Sequence, residues 1–409
     1  MSRVADSRVP RHFDLQPIHE GAADASSYPI PGYLLIKLAS RCNLACTYCY
    51  WFRDGTVYET PSVMQVDVEY ALVERLAEHI ACHKLSSFNC IFHGGEPLLF
   101  PLRRFERLVQ LLAEIGQARG CKMEFSITTN GTLVTPEWAR AFQKHGVEVA
   151  VSIDGTEAMH DRARLTRRGL GSHADAVRGY RTLCDHGITP SVIAVCDPTS
   201  DPIDLLEFMT DSLGCTRFDV LPPDLNNDDT IVSIAGYYIH LFDAWYDRYL
   251  GRGVRIRYLY SLMRGVLGLD TNSDSMGYGP LHTISLGTNG SLEPNDVLRI
   301  GGAARTTTSA NVRSNAIVDV CREPTWQEAY SSALKLASAC ESCRHRSACG
   351  GGHLSHRWSD ARGYENPSAY CADLQQILDH VWDRVASDVF LNHEGATMSL
   401  KDARALGIA

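Results

Sequence analysis

Two groups of cysteines contain seven of the fourteen cysteines in this 409-residue chain. The first group is Cys42, Cys46 and Cys49, with the spacing C-x3-C-x2-C, and a loop of this kind can turn three thiolates toward one centre. Three ligands for a four-iron cluster leave one iron without a protein ligand, and a substrate or cofactor can coordinate that open iron. A zinc site with a fourth ligand elsewhere is the alternative.

The second group is Cys340, Cys343, Cys349 and Cys371, with three glycines directly after Cys349. Four thiolates can close an iron–sulfur cluster that has no open iron, or they can hold a structural zinc. A reducing compartment disfavours disulfides, so clustered cysteines there are better explained as metal ligands.

The other seven cysteines stand singly along the chain. Free cysteine is among the most buried residue types, so each is predicted to be a small buried hydrophobic residue. These are Cys82, Cys90, Cys121, Cys184, Cys196, Cys215 and Cys321.

The composition is that of an ordinary soluble globular protein, 44% hydrophobic and 21% charged. A formal net charge of −9 argues against a nucleic-acid-binding protein, which usually carries a basic excess. No apolar run of about 18 residues appears, and the polar N-terminus lacks the apolar core of a signal peptide. We therefore expect a cytoplasmic protein without a membrane span.

Strands and amphipathic helices are predicted to alternate up to residue 225. This pattern predicts an α/β fold with parallel strands and right-handed crossovers, either a partial barrel or a doubly wound sheet. The predicted strands are Tyr33–Lys37, Asn89–His93, Lys122–Thr128, Glu148–Ile153, Pro190–Val195 and Phe218–Leu221. The predicted helices lie near residues 66–83, 103–118, 136–145, 173–186 and 203–213.

The pattern changes after residue 225. Asn289-Gly290 between two β-rich runs indicates a hairpin, and residues 300–320, rich in Thr, Ser, Ala and Gly, predict a loose loop. The hairpin strands are predicted at His282–Leu286 and Ser291–Leu298, and the helices at Ile234–Tyr249, Tyr258–Leu267 and 372–390.

The first cysteine group, with Tyr48 between its last two cysteines, resembles the hallmark C-x3-C-x-aromatic-C of the radical S-adenosylmethionine superfamily. The resemblance implies a partial (β/α)6 barrel whose cluster cleaves S-adenosylmethionine to a 5′-deoxyadenosyl radical. It also implies that the amino and carboxylate groups of S-adenosylmethionine chelate the open iron. The cofactor would supply the difficult chemistry and the protein its position.

Further segments at strand ends resemble cofactor-binding segments of that superfamily. His93-Gly94-Gly95-Glu96-Pro97 resembles its GGEP motif, in which glycines allow close approach and Glu96 accepts a hydrogen bond from the methionine ammonium. Thr128 and Asn130 lie in a segment that resembles another cofactor-side turn, although a plain turn is an equal alternative.

The end of the fourth predicted strand carries Ser152 and Asp154. By resemblance, this segment would lie near the ribose or carboxylate of the cofactor, and Arg164 would pair with the carboxylate. Nearby arginines are alternatives for that pairing, namely Arg162, Arg167 and Arg168.

The second cysteine group resembles the SPASM extension of radical enzymes that modify peptides, which typically holds two auxiliary 4Fe–4S clusters. Here the cysteine expected after the glycines is His353, and the expected Pro-Cys pair of the hairpin is Pro294-Asn295. The cluster nearer the barrel therefore lacks thiolates, and we predict one auxiliary 4Fe–4S cluster. Zinc in this site remains the alternative.

The string CGGGHLSHRWSDARGYENPSAYCADL resembles the tail of SPASM maturases that act on FxS-type ribosomal peptides and form three-residue cyclophanes. The resemblance implies a carbon–carbon crosslink between an aromatic ring and the β-carbon of a nearby residue in a precursor peptide. It also implies an electron donor such as a flavodoxin or ferredoxin. Asp296, after the hairpin position of the missing cysteine, is a candidate general base, although a solvated hairpin carboxylate is the plainer interpretation. His353 and His356 are further candidates, although such residues more often only pack.

Two other functions stay open, namely sulfatase-maturase-like oxidation of Ser or Cys to formylglycine, and a non-catalytic iron–sulfur or zinc binding protein.

The motifs and the predicted elements together divide the chain into five regions. The regions are a flexible N-terminal arm (1–30), a partial barrel (31–225), a helical bridge (226–280), a SPASM-like domain (281–390) and a C-terminal tail (391–409).

Overall fold

The computed structural model describes residues 29–271, 273–276 and 283–391. Nearly all of the predicted arm, the tail beyond residue 391 and the first residue of the predicted hairpin lie outside these residues. None of the helices described is long and apolar enough to cross a membrane.

One sheet of nine strands organises the described residues, and its order is β7-β6-β5-β4-β3-β2-β1-β8-β9. All neighbouring strands are parallel except β8 and β9, which form an antiparallel hairpin. The strands are β1 Tyr33–Ala39, β2 Ser87–Gly94, β3 Lys122–Thr129, β4 Glu148–Ser152, β5 Ser191–Val195, β6 Arg217–Leu221, β7 Arg255–Ile256, β8 Thr283–Leu286 and β9 Leu292–Glu293.

The helices connect these strands and cover the sheet. The predicted helices are found within two residues of their expected starts, and a short helix after residue 324 and two four-residue helices were not predicted. The helices are α1 Val66–His83, α2 Leu102–Arg119, α3 Pro136–His145, α4 Glu157–His160, α5 His173–Asp185, α6 Pro202–Glu207, α7 Ala235–Ala244, α8 Arg257–Val266, α9 Pro324–Leu334, α10 Arg346–Cys349 and α11 Cys371–Leu391.

The strand order decides between the two architectures that the sequence allowed. The first six strands follow one another in chain order across the sheet. Successive right-handed crossovers in one direction put all the helices on one face, whereas a doubly wound sheet reverses direction at a switch point. The predicted partial barrel is therefore confirmed.

Local sequence explains the precise ends of α3. Thr135 accepts a hydrogen bond from the Trp138 N–H, Pro136 occupies the first turn, and Gly146 ends the helix with φ of 63°. The short turn that follows leads directly into β4, so the carboxyl end of that strand is placed beside the end of β3.

The hairpin differs from its predicted form. β8 pairs with β1 as well as with β9, so it extends the barrel sheet. β9 is only two residues long because the chain turns into a short 3-10 helix at Asp296–Gly301, which Asn295 caps. Asp296 therefore lies after the hairpin and is buried, rather than solvated on one of its strands.

Two other predictions are wrong. Residues 300–320 do not form a loose loop, because Ala310, Val312 and Ile317 are packed into the main hydrophobic core. Cys82 and Cys184 are exposed, because each is on a position of an amphipathic helix that is not part of its buried face. The remaining single cysteines are buried as predicted, namely Cys90, Cys121, Cys196, Cys215 and Cys321.

Candidate active site

The first cysteine group lies in the loop after β1, at the carboxyl ends of the parallel strands. Burial is the main factor that raises the pKa of Cys42 to about 12 and that of Cys46 to about 11, and Cys49 adds to both shifts. Buried thiols ionise readily when a bound cation compensates their charge, so this loop fits an iron–sulfur cluster.

Hydrogen-bond donors are directed at the sulfur of Cys42. The backbone N–H of Leu44 lies 3.4 Å from Sγ, and Nδ2 of Asn130 lies 3.7 Å from it. Asn130 also donates to Oδ1 of Asn43 at 2.9 Å. This hydrogen bond joins the end of β3 to the loop that carries Cys42, Cys46 and Cys49, here called the cluster loop. Hydrogen bonds to ligand sulfurs help to set the potential of a cluster.

Gly94 and Gly95 bring the end of β2 against the cluster loop. A Cβ on Gly94 would come 2.3 Å from the Ala39 carbonyl oxygen, and one on Gly95 would come 2.4 Å from that of Arg41. The sequence suggested that these glycines give room to the methionine ammonium, but in this structure the cluster loop fills the space. Their contact with the cofactor stays a prediction.

Glu96 is fully buried and accepts three hydrogen bonds from the protein. Its donors are the Leu98 N–H at 2.9 Å, the Thr129 hydroxyl at 2.7 Å and the Asn130 N–H at 2.8 Å. Burial raises the pKa of Glu96 to about 7 despite these donors. A carboxylate has about four acceptor positions, so one remains for an ammonium group.

Tyr48, Asp154 and Arg164 meet in a buried cluster next to Cys46. Oδ2 of Asp154 accepts hydrogen bonds from the Tyr48 hydroxyl and from Nε of Arg164, the latter at 2.9 Å. Both charged side chains are less than a tenth exposed, and the charge of Arg164 favours the thiolate of Cys46. Arg164 is thus held by Asp154, and its contact with the cofactor carboxylate stays a prediction.

The alternative arginines are placed differently. Arg162 is half exposed and pairs with Asp197 at 2.6 Å, and Arg168 is exposed. Nε of Arg167 donates to the Cys42 carbonyl at 2.8 Å from the surface. Arg164 alone among the four is buried beside the cluster loop.

Thr128 and Ser152 are only partly buried at the ends of β3 and β4. Within the described part of the chain, neither makes a hydrogen bond through its side chain. The sequence prediction missed the neighbouring Thr129, which binds Glu96. Strand alternation provided a signal, because Thr129 follows the inward-facing Phe125 and Ile127.

The second cysteine group surrounds one cavity. Its four thiols line this cavity together with Leu374, and burial raises the pKa of Cys349 to about 12. Three successive glycines with positive φ angles, 58°, 86° and 71° at residues 350–352, turn the chain back after Cys349.

Neither cysteine group has the geometry of a mononuclear metal site. Nowhere in residues 29–271, 273–276 and 283–391 do three Cys, His, Asp or Glu side chains converge closely enough to hold one metal ion. A zinc would need its sulfur ligands about 2.3 Å away. Thiols that share a cavity at wider spacing fit a larger group, so the arrangement favours an iron–sulfur cluster over zinc.

His353 does not face the cysteine cavity. It lines a second cavity, where Nδ1 lies 2.6 Å from the Ser355 hydroxyl and Nε2 lies 3.8 Å from Asp274. The residue that replaces the expected cysteine is therefore directed toward a different site.

Asp296 lies in the wall of this second cavity and forms a buried ion pair with Lys37. The Tyr50 hydroxyl donates to the same carboxylate oxygen at 2.7 Å, and Tyr50 directly follows Cys49 of the first cysteine group. Burial disfavours the ionised carboxyl, but the charge of Lys37, the neighbouring His93 and the hydrogen bonds from Lys37 and Tyr50 together lower the pKa of Asp296. The candidate base is therefore held as a carboxylate.

Lys37 was missed by the sequence analysis, although a lysine inside the apolar strand YLLIKLA is an unusual residue to bury. Lys37 and His93 are register partners in β1 and β2, and Nζ lies 3.0 Å from Nδ1 of His93. Ile36 of β1 is the register partner of Leu286 of β8. The hairpin that begins with β8 therefore brings Asp296 to Lys37. Only the tertiary pairing reveals this contact.

The second cavity has a volume of about 240 Å³, near the lower end of typical ligand sites. It extends from Tyr50 and Asp296, beside the cluster loop, to His353, His356 and Leu374. Leu374 also lines the cysteine cavity, so the two cavities share one lining side chain.

Comparisons with known proteins agree with this geometry. Residues 36–211 match the family model of the Radical SAM superfamily. A serine-type anaerobic sulfatase-maturating enzyme from Bacteroides thetaiotaomicron is 33% identical over 183 residues, which cover 44% of this chain and 43% of the relative. The chain thus spans about two fifths of that relative and of similar serine-type relatives.

Other relatives align over most of the chain. A cysteine-type anaerobic sulfatase-maturating enzyme from Clostridium perfringens is 24% identical over 383 residues, covering 87% of this chain and 97% of the relative. A solved structure described as native anSMEcpe with bound AdoMet and Kp18Cys peptide superposes with a TM-score of 0.76 at 21% identity, over 87% of this chain and 98% of that one. The latter establishes the shared fold.

The cysteine loop at the carboxyl ends of the strands, the partial barrel and the family match lead to one conclusion. Residues 36–211, which contain the cysteine loop and most of the barrel strands, are similar to the Radical SAM superfamily.

Proposed function

We propose that this enzyme removes two hydrogens from a precursor peptide and forms a carbon–carbon crosslink between an aromatic ring and the β-carbon of a nearby residue. The observation that carries this proposal is the second cavity, which has Asp296 in its wall. This cavity adjoins the cluster loop at one end and the cysteine cavity at the other. A substrate side chain in this cavity would lie between the two cysteine groups.

The proposed cofactor sites use residues already described. Cys42, Cys46 and Cys49 would hold the cluster that binds S-adenosylmethionine, and the second cysteine group would hold one auxiliary cluster. When bound, these groups supply the hydrogen-abstracting radical and an acceptor for the electron that the substrate loses. An external donor such as a flavodoxin or ferredoxin would reduce the first cluster.

The protein residues would position the substrate and move its proton. Asp296 is ionised by Lys37, and its carboxylate lines the cavity, so it can accept the proton that the crosslinked ring must lose to become aromatic again. The hydrogen atom, the proton and the electron together account for the two hydrogens lost.

A second candidate is oxidation of Ser or Cys to formylglycine. It is supported by the relatives, which are named as serine-type and cysteine-type sulfatase-maturating enzymes. Against it stand His353 and Asn295, which occupy positions where that family, by the resemblance above, has cluster thiolates.

Mass spectrometry of an anaerobically reconstituted enzyme separates the candidates. The enzyme is first tested for about eight irons per chain, as two four-iron clusters require, and is then incubated with candidate precursor peptides encoded beside its gene. A loss of two hydrogens with no fragmentation between an aromatic residue and its partner supports the crosslink. The same loss confined to one Ser, or loss of sulfur from one Cys, overturns the crosslink in favour of formylglycine.

A further inference from the structure

The wall of the second cavity also contains two pairs of histidine and aspartate. His353 faces Asp274, and His356 faces Asp224. The proposed reaction does not use these four residues, yet all of them line the cavity. His356 is buried there, and a buried polar side chain in a cavity wall requires a physical explanation.

His356 has a buried ring nitrogen without a partner. Its side chain is 9% exposed, and its Nε2 makes no hydrogen bond within the part of the chain that the structure describes. Oδ1 of Asp224 lies 3.7 Å from this nitrogen, which is too long for a hydrogen bond. Burial lowers the pKa of His356, so the ring is held neutral and can accept or donate one hydrogen bond.

Asp224 is the one carboxylate of this cavity that lacks a cationic side-chain partner of its own among the described residues. Asp296 is neutralised by Lys37. Asp274 raises the pKa of His353 and so pairs with a histidine that favours its protonated form. Asp224 is 31% exposed, and its Oδ1 faces the neutral His356 at 3.7 Å.

Arg257 also lines the cavity but does not supply the missing charge. Its Nε donates to Oδ2 of Asp219 at 2.7 Å, behind the cavity wall. Asp224 is therefore the carboxylate of this cavity that no cationic side chain of the described residues pairs with.

These observations define the chemistry of an occupant. A negative group would be repelled by Asp224, and a single metal ion lacks a third nearby ligand among the described residues. A water molecule could bond to His356 but would leave the charge of Asp224 in place. A cation that carries N–H groups satisfies both residues at once.

We propose that Asp224 and His356 form a subsite for a cationic, hydrogen-bond-donating group of the substrate peptide. The group is a lysine or arginine side chain, or the peptide amino terminus, near the residue that reacts at Asp296. This inference rests on the proposed function in one respect, namely that the substrate is a peptide. The subsite would determine which peptides bind in the cavity.

The test is a binding competition that does not depend on turnover. The reconstituted enzyme is immobilised and offered an equimolar pool of synthetic N-acetylated peptides that differ at one position, where they carry Lys, Arg, Gln or Glu. Bound peptides are counted by mass spectrometry. The wild type is expected to favour Lys and Arg over Gln, and Asp224→Asn is expected to reduce that preference about tenfold.

Asp228→Asn is the matched control. It removes the same charge from the same loop, but Asp228 does not line the cavity and its side chain accepts a hydrogen bond from the Asp360 N–H. General attraction of cations to this acidic protein would change equally in both variants. Loss of the preference in Asp224→Asn alone supports the subsite, whereas equal behaviour of the two variants overturns it.

Further arms distinguish the source of the cation and guard against misfolding. If a free amino terminus is the ligand, removing the acetyl group restores binding of the Gln peptide and the preference for Lys disappears. Asp224→Lys is expected to favour Glu, and His356→Phe, which keeps an aromatic ring against Tyr370, is expected to weaken binding of Lys peptides. A wild type that shows no preference for cations in either pool overturns the proposal. Formation of 5′-deoxyadenosine and the product is measured separately, so the proposed reaction can fail while the subsite stands.

Discussion

The two cysteine groups differ in how their surroundings are assembled. The first group is surrounded by side chains from several strand ends, including Glu96, Asn130 and Arg164. The second is enclosed by residues of one continuous segment, 340–378. A site assembled from several strands can present polar groups to another molecule, whereas a site made from one segment can close around its own ligand. The first thus resembles an open site and the second a closed one.

The largest effect is expected when the open site is broken. Cys46→Ala should remove about four irons per chain and abolish formation of 5′-deoxyadenosine, because the cluster would retain two protein ligands. Iron analysis and chromatography of the reaction measure both. Cys82→Ala, at an exposed cysteine outside both groups, is the control and should change neither value. Cleavage that persists in Cys46→Ala would show that this loop does not hold the active cluster.

Breaking the closed site should have a different result. Cys343→Ala is expected to lose about four irons as well, but to keep cleaving S-adenosylmethionine because the strand ends that build the first site are untouched. Product formation should fall strongly because the substrate electron loses its acceptor. The ratio of 5′-deoxyadenosine to modified peptide reports this uncoupling. A parallel loss of both activities would contradict the separation of the two sites.

A smaller effect is expected at Lys37, between the two sites. In Lys37→Met the buried carboxyl of Asp296 loses its cation, so its pKa rises and the acid limb of product formation moves to higher pH. The rate near neutral pH should fall about 100-fold, as expected for loss of a general base. Cleavage of S-adenosylmethionine should persist.

The stability of Lys37→Met checks the same ion pair. Removal of one partner from a buried pair costs about 3–5 kcal/mol, and the double variant with Asp296→Asn should recover much of this loss. Lys122→Met, at an exposed lysine of β3, is the control. An unchanged pH profile in Lys37→Met would refute the role of Lys37 in holding Asp296 ionised.

The smallest effect concerns the potential of the second cluster. Nε2 of Gln375 lies 3.5 Å from Sγ of Cys371, and a donor to a ligand sulfur favours the reduced cluster. Gln375→Leu should therefore lower the potential of this cluster on the order of tens of millivolts and leave the first cluster unchanged. Gln376→Leu, whose side chain bonds to the Ala372 carbonyl instead, is the neighbouring control in the redox titration.

The features that could be predicted from the sequence are those that depend on residues close to one another in the chain. The six barrel strands, their helices and both cysteine groups follow from periodicity and motif, because each depends on residues close in the chain. The pairing of β8 with β1 and the contact of Lys37 with Asp296 do not, because they join residues more than 240 positions apart. Residues 300–320 were misjudged for the same reason, since small residues suggest a loop unless the surface that covers them is known.

The placement of β8 has a consequence for any shortened form of this protein. β8 covers the edge of β1, the strand that leads into the cluster loop. A version ending before this hairpin would leave the N–H and C=O groups along that edge of β1 open to another copy, and unprotected strand edges promote self-association. Attempts to study the barrel by itself should therefore yield aggregates, because the hairpin covers this edge of the sheet.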